Sequence, residues 1–486
     1  MSNEQTEGRF RKLETLKSQG ISVYPEGFSA NYELFEASLL EDGTSDVRVA
    51  GRIMSIRNFN KFIFLTLSNI QGSLQLLLKR DEVGQIPFEQ FNDLLDIGDF
   101  IGVTGRMYTT RTKEKTLRIE SYVFLGKALR SLPEKWHGLS NVELRYRQRY
   151  LDLMMTKETQ DRMLARSKMV RAIRRFFEDQ DFLEVETPVL QHTSSGAIAK
   201  PFKTYHHSLD TEFNLRIAPE TYLKRLIAGG FTKVFEVAKC FRNEGLSTQH
   251  LQEFTMVEGY AAYWNYQDTM KLMREMVGYI LRQTFHSTTI LIKGQSIDFS
   301  LEWEVISFRD LIYREIGIDI SLYPDVKDLL QETKRRNIEL DHPDINTLGR
   351  GNFIDLLYKK TCRPHLVKPT YLIQHPIDLS PLARANDDDP TLTDRFQLVV
   401  NGAEIINAYS ELVDPIEQRK RLETQAALKS NGDAEAMEMD EDYLTAMEYG
   451  MPPISGWGFG IERLLMVLTD SETIKDCTLF PLTKKV

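Results

Sequence analysis

Apolar residues change their spacing twice along the chain. Over residues 9–20 they fall at Phe10, Leu13 and Leu16, one stripe of a short helix, which Tyr24-Pro25-Glu26-Gly27 then breaks. From Val47 the runs become shorter and β-rich: VRVAGRIMSI, FIFLTLSN, GSLQLLLKR, DFIGVTGRMYTT and TLRIESYVFL, separated by polar or glycine-containing connections. One helical stretch at 88–95 interrupts them. Five short strands in so little chain predict a small barrel. Residues 132–138 read as a linker, and after Arg145 the texture changes again. Residues 156–177 are long, charged and helical; FLEVETPVL, FNLRIAP, KVFEVAKCF and EFTMVEGYAAY are strand-like, with helices at 222–228 and 266–283 between them.

This second part is an α+β body in which antiparallel strands fit better than βαβ units. Polar residues 318–350 suggest an inserted helical lobe, and the acidic stretch 433–442 a surface helix and loop. The expected organisation is an N-terminal helix and five-stranded barrel of the oligonucleotide-binding type over 1–145, followed by a mixed body over 146–486.

Composition narrows the function classes. With 42% hydrophobic and 27% charged residues in 486, the chain is neither disordered nor collagen-like. No apolar run reaches the ~18 residues of a membrane helix, and the polar start MSNEQTEGRFRKLETLKSQG is no signal peptide. Cys240, Cys362 and Cys477 are far apart and fit neither a disulfide framework nor CxxC zinc spacing, so a reducing cytoplasm is the expected setting. The net charge of −9 conceals a split: residues 1–150 carry 21 Lys and Arg against 19 Asp and Glu, and the excess of acid lies behind them. That pattern suits an adaptor joined to a catalytic body, although a difference this small also arises by chance.

The chain lacks GxxxxGK[ST], a strand–GxGxxG–helix, a kinase triplet, HExxH and GxSxG. A user of ATP would have to hold phosphate with arginines over a sheet. Phe241-Arg242-Asn243-Glu244 closes a strand, passes through a polar loop at 245–249 and returns through Glu253-Phe254-Thr255, placing Arg242 at the mouth and Phe254 where a base could stack. Gly456-Trp457-Gly458-Phe459-Gly460-Ile461-Glu462-Arg463 alternates glycine along a strand and enters a helix, so that backbone can approach a ligand with Arg463 in the first turn. Phe182-Leu183-Glu184-Val185-Glu186-Thr187-Pro188 is a helix-to-strand passage ending on proline. In Ala403-Glu404-Ile405-Ile406-Asn407-Ala408-Tyr409-Ser410-Glu411 a plain strand would put Glu404 and Asn407 on opposite faces. A bulge or turn between them would bring Glu404, Asn407 and Glu411 together, an acidic group suited to a cation or Mg²⁺. Taken singly, each segment is as well explained by an ordinary hairpin, a bulged edge strand or solvated carboxylates.

Their order changes that judgement. Helix, strand and proline, then FRNE with a returning Phe, then a terminal glycine ladder with Arg, all behind a small barrel, resemble the class II aminoacyl-tRNA synthetases. The sub-branch with an N-terminal anticodon-binding barrel handles lysine, aspartate and asparagine, and its lysine members are the nearest match. The matching stretches include RKLETLKSQG, VAGRIMSIR, RYRQRYLDLM, EVETPVL, LRIAPETYLKRL, FRNEG, HPIDLSPLAR, INAYSELVDP and GFGIER, and the likeness lapses only near 318–350.

The resemblance implies a homodimer built on motif 1 at 169–188, where Val170, Ile173, Phe176 and Phe177 form an apolar stripe that could equally pack within the subunit. It implies that Arg242 contacts the ATP α-phosphate and the lysine carboxylate and that Arg463 contacts the γ-phosphate. Glu244, His250, Phe254 and Gly460 would surround the nucleotide, with Phe254 under adenine. Glu404 would hold Mg²⁺. L-Lysine would lie between Glu220 and Glu258 at its α-amine and Tyr260 and Glu411 at its ε-ammonium, with Asn407 and Tyr409 beside it and Gly196 closing the pocket. In the barrel, Phe64 and Gln75 match positions that stack on and hydrogen-bond the anticodon of tRNA(Lys), although Phe64 in FIFL also reads as core; Arg57, Lys61 and the basic run 111–115 would meet phosphates.

The chain departs from the family pattern in three places. Gln397, seven residues before Glu404, replaces a glutamate that shares Mg²⁺; Leu251-Gln252 replaces Asn-Pro after His250; and bulky Trp457 stands within the glycine ladder. Two rival readings remain: a ligase acting on a protein lysine, whose known relatives lack the barrel, and a non-catalytic RNA-binding paralogue.

Overall fold

The computed structural model describes residues 3–133, 141–197, 199–245, 247–340, 345, 348–430 and 438–484. It separates into two compact units, Met1–Thr156 and Lys157–Val486, so the division falls after residue 156 where the sequence suggested 145. Of the expected linker, 134–138 lies outside the described residues, as do 433–437 of the acidic stretch and 341–344, 346 and 347 of the lobe. Among the described residues no helix is long and apolar enough to cross a membrane.

In the first unit, strands β1 (Val47–Asn58), β2 (Phe62–Ser68), β3 (Ser73–Lys79), β4 (Phe100–Thr109) and β5 (Lys115–Gly126) close a barrel in the order β1-β2-β3-β5-β4. Period-two alternation drives the closure: Val47, Val49, Ile53, Ile63, Leu65 and Leu67 all point into one core. Helix α1 (Asn3–Ser18) adds Leu13 and Leu16 to that core, but Phe10, one turn nearer the N-terminus, is 47% exposed, so the expected stripe has two members and not three. Phe64 faces away from the core, between inward Ile63 and Leu65.

The second unit is built on an eight-stranded sheet. Its strands are β6 (Leu183–Glu184), β7 (Lys233–Phe241), β8 (Glu253–Ala262), β9 (Glu304–Ser307), β10 (Thr370–Ile373), β11 (Arg395–Val400), β12 (Ala403–Ser410) and β13 (Ile454–Gly460), in the order β9-β10-β11-β12-β13-β8-β7-β6. The five inner ladders are antiparallel, as expected; the edge pairs β6·β7 and β9·β10 are parallel. Helices α2 (Lys157–Asp179), α3 (Glu220–Ala228), α4 (Tyr266–Phe285), α5 (Glu441–Glu448) and α6 (Ile461–Leu468) surround it. The inserted lobe is larger than its polar segment suggested. Helices Phe308–Ile316, Val326–Arg335 and Arg350–Thr361 share an apolar core of their own.

The motif 1 stripe requires a correction. Ile173, Phe176 and Phe177 are buried in the subunit's own core, with Val170 packed against it. Phe177 stacks on Trp457 at 4.3 Å between ring centroids, so this stripe anchors α2 to the sheet and offers no face to a second copy.

Candidate active site

Three central strands define the site. Along β13, Gly456, Gly458 and Gly460 face one side of the sheet while Trp457 and Phe459 are buried on the other, in the core. Trp457 lies over Gly259 of β8 and against Phe177, so its bulk fills the core and leaves the glycine face open. Tyr260 and Tyr409 flank Gly456 in register, and Glu258 and Asn407 flank Gly458. The missing side chains of β13 become the floor of a cavity of about 340 Å³, and those flanking residues become its walls. A Cβ at Gly456 would collide with Glu411 Oε1 and the Tyr260 ring.

The expected bulge is present. Leu398 of β11 pairs with Ile406 but Val399 pairs with Glu404, so Ile405 is an extra residue in β12. Ile405 and Ile406 both enter the core. Glu404 thereby joins Asn407, Tyr409 and Glu411 on the cavity side.

Charge is segregated along this floor. Beside Gly456 gather Glu220, Glu258 and Glu411, all buried. Burial drives the Glu258 carboxyl well above its usual range, the charge of Glu220 adds to this, and Arg242 and Lys224 oppose it. Burial likewise pushes Glu411 up to about 8 against the pull of Lys224. Towards Gly460 lie Arg242 and Arg463. The Arg242 guanidinium stands 5.2 Å from the Phe254 ring centroid, and its Nε is buried without a hydrogen-bond partner. Arg463 donates through Nη1 to the Glu404 carbonyl at 3.2 Å, and burial depresses its pKa, with Arg242 and Arg363 adding to the effect and Glu404 opposing it. The four residue steps from Gly456 to Gly460 span about 13 Å at roughly 3.3 Å per strand residue. The cavity therefore offers acid at one end and base at the other, over the length of an amino acid joined to a nucleotide.

The walls are tied together. Tyr409 Oη donates to Glu220 Oε1 at 2.9 Å. Gly196 has φ +88° and packs where a Cβ would lie 2.9 Å from the Glu220 Cβ, so only glycine suits both its backbone and its neighbour. Neighbouring Ser195 bonds Thr221 and Asp440, which fixes that loop to α3 and the start of α5. At the mouth, Glu244 lines the cavity and His250 Nδ1 pairs with Ser247 Oγ at 2.8 Å.

Gln397 does not line the cavity; its Nε2 donates to Glu404 Oε2 at 3.0 Å, and its side chain also meets buried His375. Among the described residues no group of three or more His, Cys, Asp or Glu side chains is placed to hold a metal ion. Glu404 thus brings a single carboxylate to the cavity, with the Gln397 amide behind it, which fits a divalent ion held mostly by phosphate and water.

Sequence reasoning assigned no role to four features of this site. Arg395 donates to Asn407 Oδ1, the Leu379 carbonyl and Ser380 Oγ, all at 2.8 Å, and so orients a wall residue. Glu462 joins Arg166 of α2, at 2.7 Å, to the backbone of Thr255, at 2.9 Å. Residues 379–383, inside HPIDLSPLAR, line the cavity. Lys224 lies 2.6 Å from Glu220 and 2.5 Å from Glu411. Its place one helical turn after Glu220 was the available signal.

On the barrel, Phe64 forms an aromatic group with Phe59 and Phe62, at 6.3 and 5.7 Å, with the Arg57 guanidinium 5.7 Å from its ring. Gln75 is 7% exposed; its Nε2 donates to Thr116 Oγ1 and its Oε1 accepts from Arg57 Nη2, so reaching a base requires exchanging a partner. In the basic run, Lys115 is held by the Leu40 carbonyl and Asp42, while Arg111 and Lys113 are exposed.

Two families match the chain. Residues 141–484 match "tRNA synthetases class II (D, K and N)" and residues 47–125 match "OB-fold nucleic acid binding domain". Similar curated proteins include the lysine--tRNA ligases of Aquifex aeolicus (43% identical, covering 93% of this chain and 75% of that protein), Moorella thermoacetica (42%; 97% and 96%) and Thermotoga maritima (41%; 100% and 97%).

Proposed function

Since the chain belongs to the class II tRNA synthetases of the D, K and N group, we propose that it ligates L-lysine to the 3′ end of tRNA(Lys) at the expense of ATP. The single observation that carries this reading is the buried acidic end of the cavity. Three carboxylates surround the place an amino-acid side chain would enter, and Glu411 Oε1 has no hydrogen-bond partner there. A buried ammonium requires such a partner, whereas an aspartate pocket would need a cation facing its ligand.

Arg242 holds the lysine carboxylate beside the ATP α-phosphate, and Phe254 supports the adenine. A carboxylate oxygen attacks the α-phosphorus in line, the bond to the bridging oxygen breaks, and pyrophosphate leaves with its charge met by Arg463. A ribose hydroxyl of the terminal adenosine of tRNA then attacks the lysyl carbonyl carbon, and AMP departs with the bonding electrons. No protein nucleophile is needed. Positioning and charge neutralisation carry the rate, as in other phosphoryl-transfer sites. At the other end Glu220 and Glu258 hold the α-ammonium, while Glu411 and Tyr260 hold the ε-ammonium.

Mg²⁺, when bound, would neutralise phosphate charge and favour a bent triphosphate; Glu404 would hold it, with the amide of Gln397 nearby. One carboxylate implies a raised Mg²⁺ requirement. Gln397→Glu is expected to lower, several-fold, the Mg²⁺ concentration for half-maximal pyrophosphate exchange. Coincident titration curves would place residue 397 away from the metal.

The barrel would bind the anticodon through Phe64, since stacking on an aromatic contributes ~1–3 kcal/mol per base. Dimerisation belongs to this reading as well. With the stripe of α2 used in the core, the exposed apolar residues Leu183 of edge strand β6 and Val189 and Leu190, which follow it in the chain, are the surface we assign to it. The three cysteines, free and buried, suit a reducing cytoplasm.

The test is ATP–pyrophosphate exchange with single amino acids, followed by charging of tRNA or protein acceptors. The expected result is exchange with lysine and not with aspartate or asparagine, transfer to tRNA alone, and Phe64→Ala lowering charging while sparing exchange. A non-catalytic paralogue would exchange with none, and a protein-directed ligase would exchange but leave tRNA uncharged.

A further inference from the structure

Helix α3 places the Lys224 ammonium 2.6 Å from Glu220 Oε1 and 2.5 Å from Glu411 Oε2. The side chain is fully enclosed, with the ring centroids of Tyr260, Tyr409 and Tyr443 5.9, 5.7 and 5.8 Å away. Glu220 and Glu411 line the cavity but Lys224 does not, so it reaches both carboxylates from outside the ligand's space. Glu411 Oε1, by contrast, lies in the room left by Gly456 and is buried without a partner. Each of these two acids is therefore approached by a resident cation on one side and open to a ligand on the other.

The charges at this end can be counted. Glu220, Glu258 and Glu411 carry three negative charges when ionised, and Lys224 cancels one. Lysine brings two ammonium groups, and its carboxylate goes to Arg242. Without Lys224, three buried carboxylates would share one small volume, and like charges so placed cannot all ionise: one keeps a proton. A protonated Glu411 would lose the charge attraction that favours an ammonium over a neutral side chain.

We propose that Lys224 is a specificity-determining residue, whose ammonium, held outside the cavity, favours the ionised form of Glu411 so that the pocket selects an amino acid with a charged side chain. This rests on the lysine reading above. The groups that face Lys224 and Glu411 are Glu220 on α3, Glu258 and Tyr260 on β8, Tyr409 on β12 and Tyr443 on α5. Burial drives Glu411 up and Lys224 is the first charge opposing it, so removing Lys224 moves Glu411 further up.

The experiment is lysine-dependent pyrophosphate exchange by the full chain, with lysine and norleucine, between pH 6.5 and 8.5. In the parent, the KM for lysine falls as pH rises, with the midpoint of the fall near pH 8, because Glu411 must lose its proton to receive the ε-ammonium. For Lys224→Met we expect a KM for lysine raised at least tenfold at pH 7, a KM for ATP within twofold of the parent, a fall in KM displaced to higher pH than in the parent, and a reduced preference for lysine over norleucine. Lys224→Arg restores the parental profile in part. The double variant Glu220→Gln/Lys224→Met, which restores the charge count, serves if the single variant fails to fold, and is expected to keep the preference for lysine over norleucine. A loss of affinity independent of pH, an unchanged preference in Lys224→Met, or loss of that preference in the double variant overturns the proposal. So does a lower KM for lysine in Lys224→Met, which would make Lys224 a plug that substrate displaces. A parent enzyme that exchanges with no amino acid, or with another one, refutes the lysine reading and this proposal with it.

Discussion

Replacing Arg242 with alanine is expected to slow lysine-dependent pyrophosphate exchange by roughly 10²–10³-fold, the usual cost of removing one preorganised donor from a developing anion. Arg242 is placed by its strand: its amide donates to the Gln252 carbonyl at 2.9 Å, and its guanidinium lies near the Phe254 ring with Nε unsatisfied. A buried guanidinium nitrogen without a partner is a group prepared for an anion supplied from outside. Arg242→Lys retains the charge but loses the planar fork, so most of the deficit is expected to persist. Because on the proposed reading the group would meet both the carboxylate and the α-phosphate, the loss is expected mainly in kcat. An Arg242→Ala enzyme within threefold of the parent would remove Arg242 from the reaction.

Glu411→Gln is expected to raise the KM for lysine by about 10²–10³-fold and to leave the KM for ATP within twofold. The substitution preserves shape and hydrogen-bonding capacity but removes the charge. Breaking one side of a buried ion pair costs roughly 3–5 kcal/mol; Glu411 already meets Lys224 through Oε2, and on the proposed reading Oε1 would take the substrate's ε-ammonium. Lys224 remains paired with Glu220 in the variant, so the fold is expected to survive, which circular dichroism and a melting curve would check. An unchanged KM for lysine would place the ε-ammonium elsewhere.

The features of this site that could be read in the sequence were those that local pattern imposes. The glycine alternation of 456–460 required a strand with one bare face, and the structure has it. The odd spacing of Glu404 and Asn407 meant that only a bulge or turn could bring them together, and the bulge at Ile405 does so. Barrel strands were legible because one buried face enforces alternation. What pattern could not settle was the use of each apolar stripe. Ile173, Phe176 and Phe177 suit a subunit interface or an internal helix–sheet contact equally well, and only the position of Trp457 opposite Phe177 decides between them. Trp457 was misleading for the same reason, since a bulky residue among glycines obstructs a ligand only if it shares their face. Partnerships across long sequence separations were also out of reach. Nothing local to Lys224 announces that Glu411 will meet it, nor does Arg395 reveal that it will orient Asn407.

The bare face of β13 bears on how this gene can fail. Gly456 and Gly458 have ordinary backbone angles, so alanine or serine at either would not strain the chain. The new atoms would enter the space that substrate needs, against Glu411 and Tyr260 at one position and Glu258 at the other. Every missense change at a glycine codon adds bulk, so lesions here run in one direction, towards a filled pocket. At Gly456 the added atom also displaces buried Tyr260 and Glu411, so stability falls with activity; at Gly458, where the nearest atom is the Glu258 Cγ at 3.2 Å, an alanine allele would leave a folded, inactive chain that a melting temperature overlooks and only a turnover assay exposes.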